Sequence, residues 1–365
     1  MRPMRFIMLG GFLGAGKTTT IARLACSYRD CGERVAVITN DHASDLVDSH
    51  TLRSLGLDVG EIAGACFCGD VDELITAVDQ VGMAARPDVV LVEPVGSCTD
   101  MVASVIRPLQ RLFADRFEIA PYGVLLKPSH GLKILSGRPG GGFSPKAEYI
   151  FRKQLEEADF VAINRIDQLS PKQVTELEQL LSQQCPTTPV LRLSAKTGEG
   201  FDAFTAFLDQ RGAFGQRLLA LDHEEYAAGE AELGWFNGSY LVHGAASFDL
   251  DSLVLGTVTR LQELFGAAGV EPGHLKALGI WEGTCSIANL IASNVPAELS
   301  RAAAARVPKV HLLINARVAA DPALLAEMVQ KALSDMVSSL ELTITDQHTQ
   351  CFRPGQPAQP FSAHY

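Results

Sequence analysis

The chain has 365 residues, of which 47% are hydrophobic, and a formal net charge of −11 at pH 7. A chain of this length can bury two hydrophobic cores, and its acidity argues against a surface that binds nucleic acid. No stretch reaches the roughly 18 consecutive apolar residues of a membrane helix, so a membrane is not an expected partner. Because of the acidity, a nucleic acid is not an expected partner either. The eight cysteines are scattered, which is typical of reduced thiols in a cytoplasmic protein.

The first 210 residues alternate short β-rich segments with helical patterns. We predict strands at residues 5–9, 34–40, 58–62, 88–92, 117–126, 160–164 and 190–193. We predict helices at about 18–29, 71–84, 99–113, 146–157, 171–184 and 201–209. A loop rich in glycine and proline, residues 136–145, interrupts the alternation. This order predicts an α/β domain over residues 1–210, with a parallel sheet covered by helices.

The composition changes after residue 210. Residues 221–232 carry acids but no lysine or arginine, so we predict an acidic linker over 211–234. Beyond it we predict a strand at 235–243, a helix at 250–266, strands at 274–280, 284–292 and 309–316, and a helix at 321–338. This pattern indicates a smaller α+β domain with an antiparallel sheet over 235–350, and residues 351–365 are expected to be an extended tail.

A phosphate-binding motif lies near the start of the chain. Residues 11–18, GFLGAGKT, match the pattern GxxxxGK[ST] between a predicted strand and a predicted helix. Glycines let backbone N–H groups turn toward a phosphate, and the helix N-terminus adds a favourable dipole. We expect Lys17 to contact the β- and γ-phosphates and Thr18 to ligate Mg²⁺. The predicted phosphate-binding residues are Gly11, Gly14, Ala15, Gly16, Lys17, Thr18 and Thr19.

A second motif concerns the base of the nucleotide. Residues 160–167, FVAINRID, are an apolar strand that ends in Asn-x-x-Asp. A carboxylate there accepts both the N1–H and the N2 amino protons of guanine, whereas adenine leaves it unpaired. The later Ser-Ala-Lys segment follows a strand, where a backbone N–H can donate to guanine O6. Guanine is favoured and adenine is the alternative. The predicted base-binding residues are Asn164, Arg165, Asp167, Ser194, Ala195 and Lys196.

Two acids follow strands whose carboxyl ends face the same crevice. We predict that Glu93 binds Mg²⁺, either directly or through a water ligand of the ion, and orients the attacking water. Asp41 is the second candidate for this role. Capping of a helix is the alternative for either acid. Cys66 and Cys68 lie between a strand and a helix, and two thiolates in this spacing favour Zn²⁺, Co²⁺, Ni²⁺ or Cu⁺ over Mg²⁺. Packing against the sheet is their alternative role.

These motifs resemble those of small G proteins, and two further segments are more specific. The run EPVGSCTD at residues 93–100 and the CFC loop at 66–68 resemble CobW-type GTPases, over nearly the whole chain. The resemblance implies a SIMIBI-type P-loop domain followed by a CobW C-terminal-like domain, slow GTP hydrolysis and a homodimer. It also implies that the Cys66–Cys68 loop and Asp41 bind a transition metal, Zn²⁺ or Co²⁺ before Ni²⁺.

The sequence departs from the family pattern at three places. Gly69 replaces a third cysteine, so a metal site needs other ligands, and we predict His42 as one of them. Arg165 stands where the guanine motif has lysine, and Lys127-Pro128 where relatives carry Asp-Pro. The first functional hypothesis is a GTP-dependent metallochaperone that serves a metal- or corrinoid-dependent client. The alternative is a regulatory or remodelling GTPase without metal cargo.

Overall fold

The computed structural model describes residues 2–41, 47–63, 71–83, 85–137, 145–290, 292–293 and 295–353. These residues form two compact units. The first unit holds the described residues up to Gly229 except Val47, and the second holds Val47 together with those from Glu230 onward. Within the described ranges, no helix combines the length and the apolar character needed to cross a membrane.

The first unit contains an eight-stranded sheet. Its strands are β1 (Met4–Gly10), β2 (Val35–Asp41), β3 (Asp58–Ala63), β4 (Val89–Glu93), β5 (Phe117–Ile119), β6 (Gly123–Leu126), β7 (Phe160–Ile163) and β8 (Val190–Arg192). The order along the sheet is β3-β2-β4-β1-β6-β7-β8, with β5 paired to β1. The pairings are parallel, so the carboxyl ends of β1, β4, β6 and β7 lie at one edge.

Helices connect these strands. They are α1 (Lys17–Asp30), α2 (Val47–Arg53), α3 (Val71–Val81), α4 (Arg107–Leu112), α5 (Pro128–Leu135), α6 (Pro145–Glu157), α7 (Pro171–Gln184), α8 (Phe201–Leu208) and α9 (His223–Glu230). A π-helical turn, Val102–Ile106, runs directly into α4. The sequence defines α7 locally: Ser170 and Gln173 form a capping box, and Pro171 occupies the first turn.

The strands at the centre of the first unit are almost entirely apolar because they are buried in its core. Every residue of β1 and β4 is buried, as expected for parallel strands covered on both faces. Ile7 and Leu9 of β1 pack with Ile21 and Leu24 of α1 in one hydrophobic cluster. This packing holds α1 against the sheet, and the loop between β1 and α1 is thereby placed at the carboxyl edge.

The predicted fold class is correct, and several boundaries differ. The single strand predicted at 117–126 is two strands, because β5 pairs with Met4–Phe6 of β1 whereas β6 pairs with its last two residues. The helix predicted at 99–113 begins at Met101 and is π-helical in its first part. Neither α2 nor α5 was predicted. Pro128 occupies the first turn of α5. Backbone N–H groups in the first turn have no partner within the helix, so proline, which lacks this group, is tolerated there.

The segment predicted as an acidic linker is anchored to the first unit. Gln110 Nε2 donates to the Phe214 carbonyl oxygen at 2.8 Å, and Gly215 N donates to Asp159 at 2.8 Å. Helix α9 follows, and its Tyr226 is buried. Residues 211–229 therefore belong to the first compact unit, although the acids at 222, 224 and 225 are exposed.

The second unit is a six-stranded antiparallel sheet with two helices. Its elements are β9 (Gly234–Asp249), α10 (Leu250–Ala268), β10 (Pro272–Trp281), β11 (Thr284–Leu290), β12 (Glu298–Arg301), β13 (Arg306–Val318), α11 (Pro322–Ser339) and β14 (Leu342–Phe352). The strand order is β12-β11-β10-β13-β9-β14. Leu253 and Val258 of α10 and Val329 of α11 pack in one core with alternate residues of the strands.

Several features of this unit differ from the prediction, among them the short strand β12, which was not predicted. Strand β9 continues to Asp249, and strand β14, which pairs along it, was not predicted. Cys351 and Phe352, expected to begin the extended tail, are the last residues of β14. The helices carry local start signals, because the side chains of Asp249 and Asp321 accept backbone N–H groups at the N-termini of α10 and α11.

Candidate nucleotide-binding site

The loop between β1 and α1 has the backbone that the phosphate motif predicts. Gly11, Gly14 and Gly16 have φ values of 134°, 72° and 90°. A Cβ atom at Gly11 would lie 2.5 Å from the carbonyl oxygen of Leu125, and one at Gly16 would meet the side chain of Asn164. Glycine is therefore required at these two positions by both conformation and space.

Lys17 and Thr18 begin α1 and are both buried. Lys17 Nζ donates to the carbonyl oxygen of Gly11 at 2.9 Å, which holds the ammonium over the loop. Thr19, the next residue, is exposed. The loop thus offers a helix N-terminus and a buried cation within one turn, and this combination suits a phosphate.

Thr18 and Glu93 form the part of the site that suits a cation. The Thr18 hydroxyl donates to Glu93 Oε1 at 3.0 Å, and both side chains are buried. Glu93 ends β4, and it lies opposite Thr39 of β2. A hydroxyl and a carboxylate are the oxygen ligands that Mg²⁺ prefers, so these two residues fit the ion.

The predicted transition-metal site lies largely outside the described residues. Asp41 ends β2 on the same sheet edge, but its side chain is not among those described. His42, Cys66 and Cys68 lie outside the described residues. Among the residues that are described, no group of three or more His, Cys, Asp or Glu side chains is arranged to hold a metal ion.

Asn164 joins the phosphate loop to the loop after β8. Its Nδ2 donates to the Ala15 carbonyl oxygen at 2.8 Å. Its Oδ1 accepts from Ala195 N at 3.0 Å and from Arg165 N at 2.8 Å. The side chain is buried, so these bonds form where water does not compete for them.

Asp167 and Ser194 form a link between the loops that follow β7 and β8. The Ser194 hydroxyl donates to Asp167 Oδ1 at 2.6 Å and accepts from Thr197 N at 3.1 Å. Asp167 is exposed, so its carboxylate is accessible to a ligand, and Lys196 is exposed as well. Arg165 has a left-handed backbone, φ 60°, and its Nη2 donates to the Gly14 carbonyl oxygen at 3.4 Å.

The structure thus brings the phosphate loop, Glu93, Asn164 and the Ser194–Lys196 loop to one edge of the sheet. The sequence matches the CobW/HypB/UreG nucleotide-binding domain over residues 5–192, which is more than half of the chain. The chain belongs to this family. Its P-loop domain is followed by a separate antiparallel domain.

Curated relatives in this group include zinc chaperones. The chain is 30% identical over 181 residues to the zinc chaperone YeiR of Escherichia coli strain K12, covering 48% of this chain and 51% of that protein. It is 26% identical over 219 residues to the zinc chaperone CobW of a Sinorhizobium species, covering 53% and 59%. The matches therefore span little more than half the length of these relatives.

A solved structure with a similar fold is HypB from Helicobacter pylori in complex with nickel. It has a TM-score of 0.41 and 20% sequence identity, and the match covers 56% of this chain and 85% of that chain. This likeness concerns the fold only.

Three residues of this CobW/HypB/UreG domain contact the site, although no motif identified them. Arg23 of α1 donates to the carbonyl oxygens of Ala195 and Lys196. Gln154 Nε2, on α6, donates to two carbonyl oxygens of the segment that follows Glu93. Glu157 accepts a hydrogen bond from Val102 N at 3.2 Å. These three residues belong to no sequence motif, because each bonds to a residue that is far away in the sequence.

Lys127 and His130 lie buried beneath the phosphate loop, at the position where the sequence departs from its family. Their Nζ and Nε2 atoms are 2.9 Å apart, and the His130 ring stands edge-on to Phe12 with centroids 5.8 Å apart. Burial and the nearby charges of Lys127, Lys133 and Arg165 hold the pKa of His130 well below its usual value. Because an ammonium can only donate, Nε2 of the neutral His130 ring accepts from Lys127 Nζ.

The segment after Glu93 is fastened to α6. Gln154 Nε2 donates to the carbonyl oxygens of Gly96 at 3.0 Å and Cys98 at 2.8 Å. Burial raises the pKa of Glu157 well above the usual carboxyl range, although backbone N–H groups of residues 100–102 oppose this rise. Both side chains are buried. The position of the segment therefore depends on α6 as well as on β4.

Proposed function

We propose that the chain binds and slowly hydrolyses GTP, and that it uses this cycle to deliver a transition metal to a client protein. The proposal that the chain binds a nucleotide rests on the hydrogen bonds of Asn164. This side chain bonds to Ala15 of the phosphate loop and to Ala195 of the loop after β8, which we call the base loop. One buried amide therefore fixes the spacing between the phosphate end and the base end of a bound nucleotide.

Guanine is the proposed base because of the exposed carboxylate of Asp167. Guanine offers two donors, N1–H and the N2 amino group, to one carboxylate, and adenine offers no such pair. The hydroxyl of Ser194 orients this carboxylate at 2.6 Å. We propose that Asn164, Arg165, Asp167, Ser194, Ala195 and Lys196 contact the base.

Magnesium is the proposed ion at the phosphates, held by Thr18 and Glu93. When bound, Mg²⁺ neutralises charge on the β- and γ-phosphate oxygens. Lys17 adds a second positive charge, and Glu93 orients the attacking water, with Asp41 as the second candidate. The sequence assigns no arginine finger or catalytic glutamine, and slow turnover that a partner stimulates is therefore expected.

The proposed cargo is Zn²⁺ or Co²⁺, with Ni²⁺ less favoured. Two of the relatives are named zinc chaperones, and the pair Cys66 and Cys68 supplies thiolates that these ions accept. We propose Asp41 and His42 as further ligands. The client is a metalloprotein or a corrinoid-dependent enzyme, and the working form is a cytoplasmic homodimer.

Titration of the metal-free protein with Co²⁺ under anaerobic conditions tests this proposal. The thiolate-to-Co²⁺ absorption band is followed with and without a non-hydrolysable GTP analogue. We expect tight binding that requires the nucleotide. Absence of the band in both states, together with millimolar affinity for Zn²⁺, would contradict the metallochaperone.

A regulatory or remodelling GTPase is the second candidate, and the replacement of a third cysteine by Gly69 favours it. The double variant Cys66→Ser, Cys68→Ser separates the two functions. A metallochaperone loses client activation in this variant and keeps GTP hydrolysis. A remodelling GTPase keeps both activities.

A further inference from the structure

Arg23 of α1 holds the loop that contains Ala195 and Lys196. Its Nε donates to the Ala195 carbonyl oxygen at 2.8 Å, and its Nη2 donates to the Lys196 carbonyl oxygen at 2.8 Å. The guanidinium lies over the ring of Phe201, with Cζ 5.6 Å from the ring centroid. Gly198 approaches it so closely that a Cβ there would lie 2.9 Å from Nη1. Arg23 is thus fixed by contacts on several sides.

The two carbonyl bonds set the direction of the peptide planes. In a trans peptide, the C=O group and the following N–H group point in opposite directions. Because two carbonyls turn toward Arg23, the N–H groups of Lys196 and Thr197 turn to the other side of the loop. Thr197 N donates to Ser194 Oγ, which in turn donates to Asp167. Arg23 therefore orients the side of the loop that faces the Asp167 carboxylate.

We propose that Arg23 is a positioning residue for guanine recognition. This inference rests on the proposed function, because it assumes that the Ser194–Lys196 loop meets a guanine base. Arg23 acts through this loop and not by contact with the nucleotide. Helix α1 begins with Lys17 and Thr18, so the helix that holds the phosphates also holds the base loop.

The geometry requires an arginine. A guanidinium presents several N–H donors in a rigid plane and can bond two carbonyl oxygens at once. A lysine ammonium is a point charge on a flexible stem, and an alanine leaves both carbonyls without this donor. A lysine at position 23 keeps the positive charge but is therefore not expected to hold both carbonyl groups.

The test measures dissociation constants of the full-length protein for GDP, IDP, ADP and inorganic tripolyphosphate. IDP lacks the N2 amino group and reports on the Asp167 contact, whereas tripolyphosphate reports on the phosphate loop alone. The variants are Arg23→Ala and Arg23→Lys. Arg29→Ala is the matched control, because Arg29 lies on the same helix and donates to the Leu55 carbonyl oxygen, away from the base loop.

We expect Arg23→Ala to weaken GDP binding about tenfold, the size expected for lost charge-assisted hydrogen bonds. The preference for GDP over ADP and over IDP falls by a similar factor, and affinity for tripolyphosphate is unchanged. Arg23→Lys shows the same changes at about threefold, because one of two bonds is kept. Arg29→Ala leaves all four constants unchanged.

Three results would overturn the inference, and they differ in what else they affect. A wild-type protein without preference for GDP over ADP overturns the proposed function and the inference together. A wild-type preference that survives in Arg23→Ala overturns the inference alone. Equal weakening of GDP, ADP and tripolyphosphate in Arg23→Ala assigns Arg23 to the stability of α1 and not to base recognition.

Discussion

The Thr18 hydroxyl donates to Glu93 Oε1 at 3.0 Å, and this bond joins the first turn of α1 to the last residue of β4. If these oxygens hold Mg²⁺, Thr18→Val and Glu93→Gln raise the Mg²⁺ concentration for half-maximal GTP hydrolysis by about 10- to 100-fold. Thr18→Ser keeps the hydroxyl and is the matched control, which we expect to stay near the wild type. Steady-state hydrolysis across a Mg²⁺ series measures the effect, and an unchanged half-maximum in Glu93→Gln would exclude Glu93 from the ion.

Removal of the Gln154 amide is expected to loosen the segment after Glu93. Gln154→Leu leaves the Gly96 and Cys98 carbonyls without their donor in a buried place, at a cost of about 2 kcal/mol. We predict a lower melting temperature and a larger loss of kcat for GTP hydrolysis than of nucleotide affinity. Lys153→Ala, on the same helix and in a partly exposed ion pair with Glu156, is the control. Equal losses of kcat and affinity would contradict a local effect.

The raised pKa of Glu157 predicts that the free energy of unfolding depends on pH. Burial raises its pKa in the folded protein, so the folded state holds a proton that the unfolded state has released above about pH 4.3. The protonated group therefore favours folding at low pH, and this advantage is lost as pH rises toward the raised pKa, by up to about 1.4 kcal/mol per pH unit. Glu157→Gln removes the titration and keeps an oxygen for Val102 N. Denaturant unfolding should show the variant gaining stability relative to the wild type between pH 5 and 7.

The lowered pKa of His130 predicts the opposite dependence of stability on pH. Its pKa is lowered in the folded protein, so below about pH 6.5 the unfolded state binds a proton that the folded state does not. Stability is therefore lost as pH falls through this range, by up to about 1.4 kcal/mol per pH unit. His130→Gln keeps an acceptor for Lys127 without titrating. We expect the variant to lose less stability than the wild type between pH 6.5 and 5, and parallel curves would contradict a neutral His130.

Truncation tests where the first domain ends. A fragment of residues 1–229 keeps the bonds of Phe214 and Gly215 and the buried Tyr226, whereas a fragment of residues 1–210 loses them. We predict that the longer fragment melts cooperatively and that the shorter one melts several degrees lower or aggregates, because its Gln110 and Asp159 lose partly buried hydrogen bonds. Similar melting of both fragments would show that residues 211–229 are a true linker.

The sequence was sufficient where a short segment encodes its own structure. The glycines of the phosphate loop and the proline after Ser170 act through local conformation, and both elements were predicted within one or two residues. The family resemblance carried the same information, because it rests on these local motifs.

Prediction was insufficient where long-range pairing decides the structure. The split between β5 and β6 follows from their different partners on β1, and β14 forms because it pairs with residues 235–244 of β9, about 100 residues earlier in the chain. Arg23 and Gln154 have no sequence signal, since their partners lie more than 50 residues away. The acidic composition of residues 221–232 contained no signal for α9 or for its buried Tyr226, and the linker itself stays a prediction that the truncations test. The roles of His42, Cys66 and Cys68 stay predictions.

The close approach of Asn164 to Gly16 constrains how this protein can evolve or be redesigned. The amide occupies the space where any other residue at position 16 would place its Cβ. A smaller residue at 164 would free this space, but the left-handed φ of 90° still requires glycine at position 16. Substitutions of Asn164 also remove its bond to the Ala15 carbonyl oxygen and will therefore disturb the phosphate loop. Redesign toward another nucleotide should therefore keep glycine at position 16 and vary position 164 together with residues of the phosphate loop that it contacts.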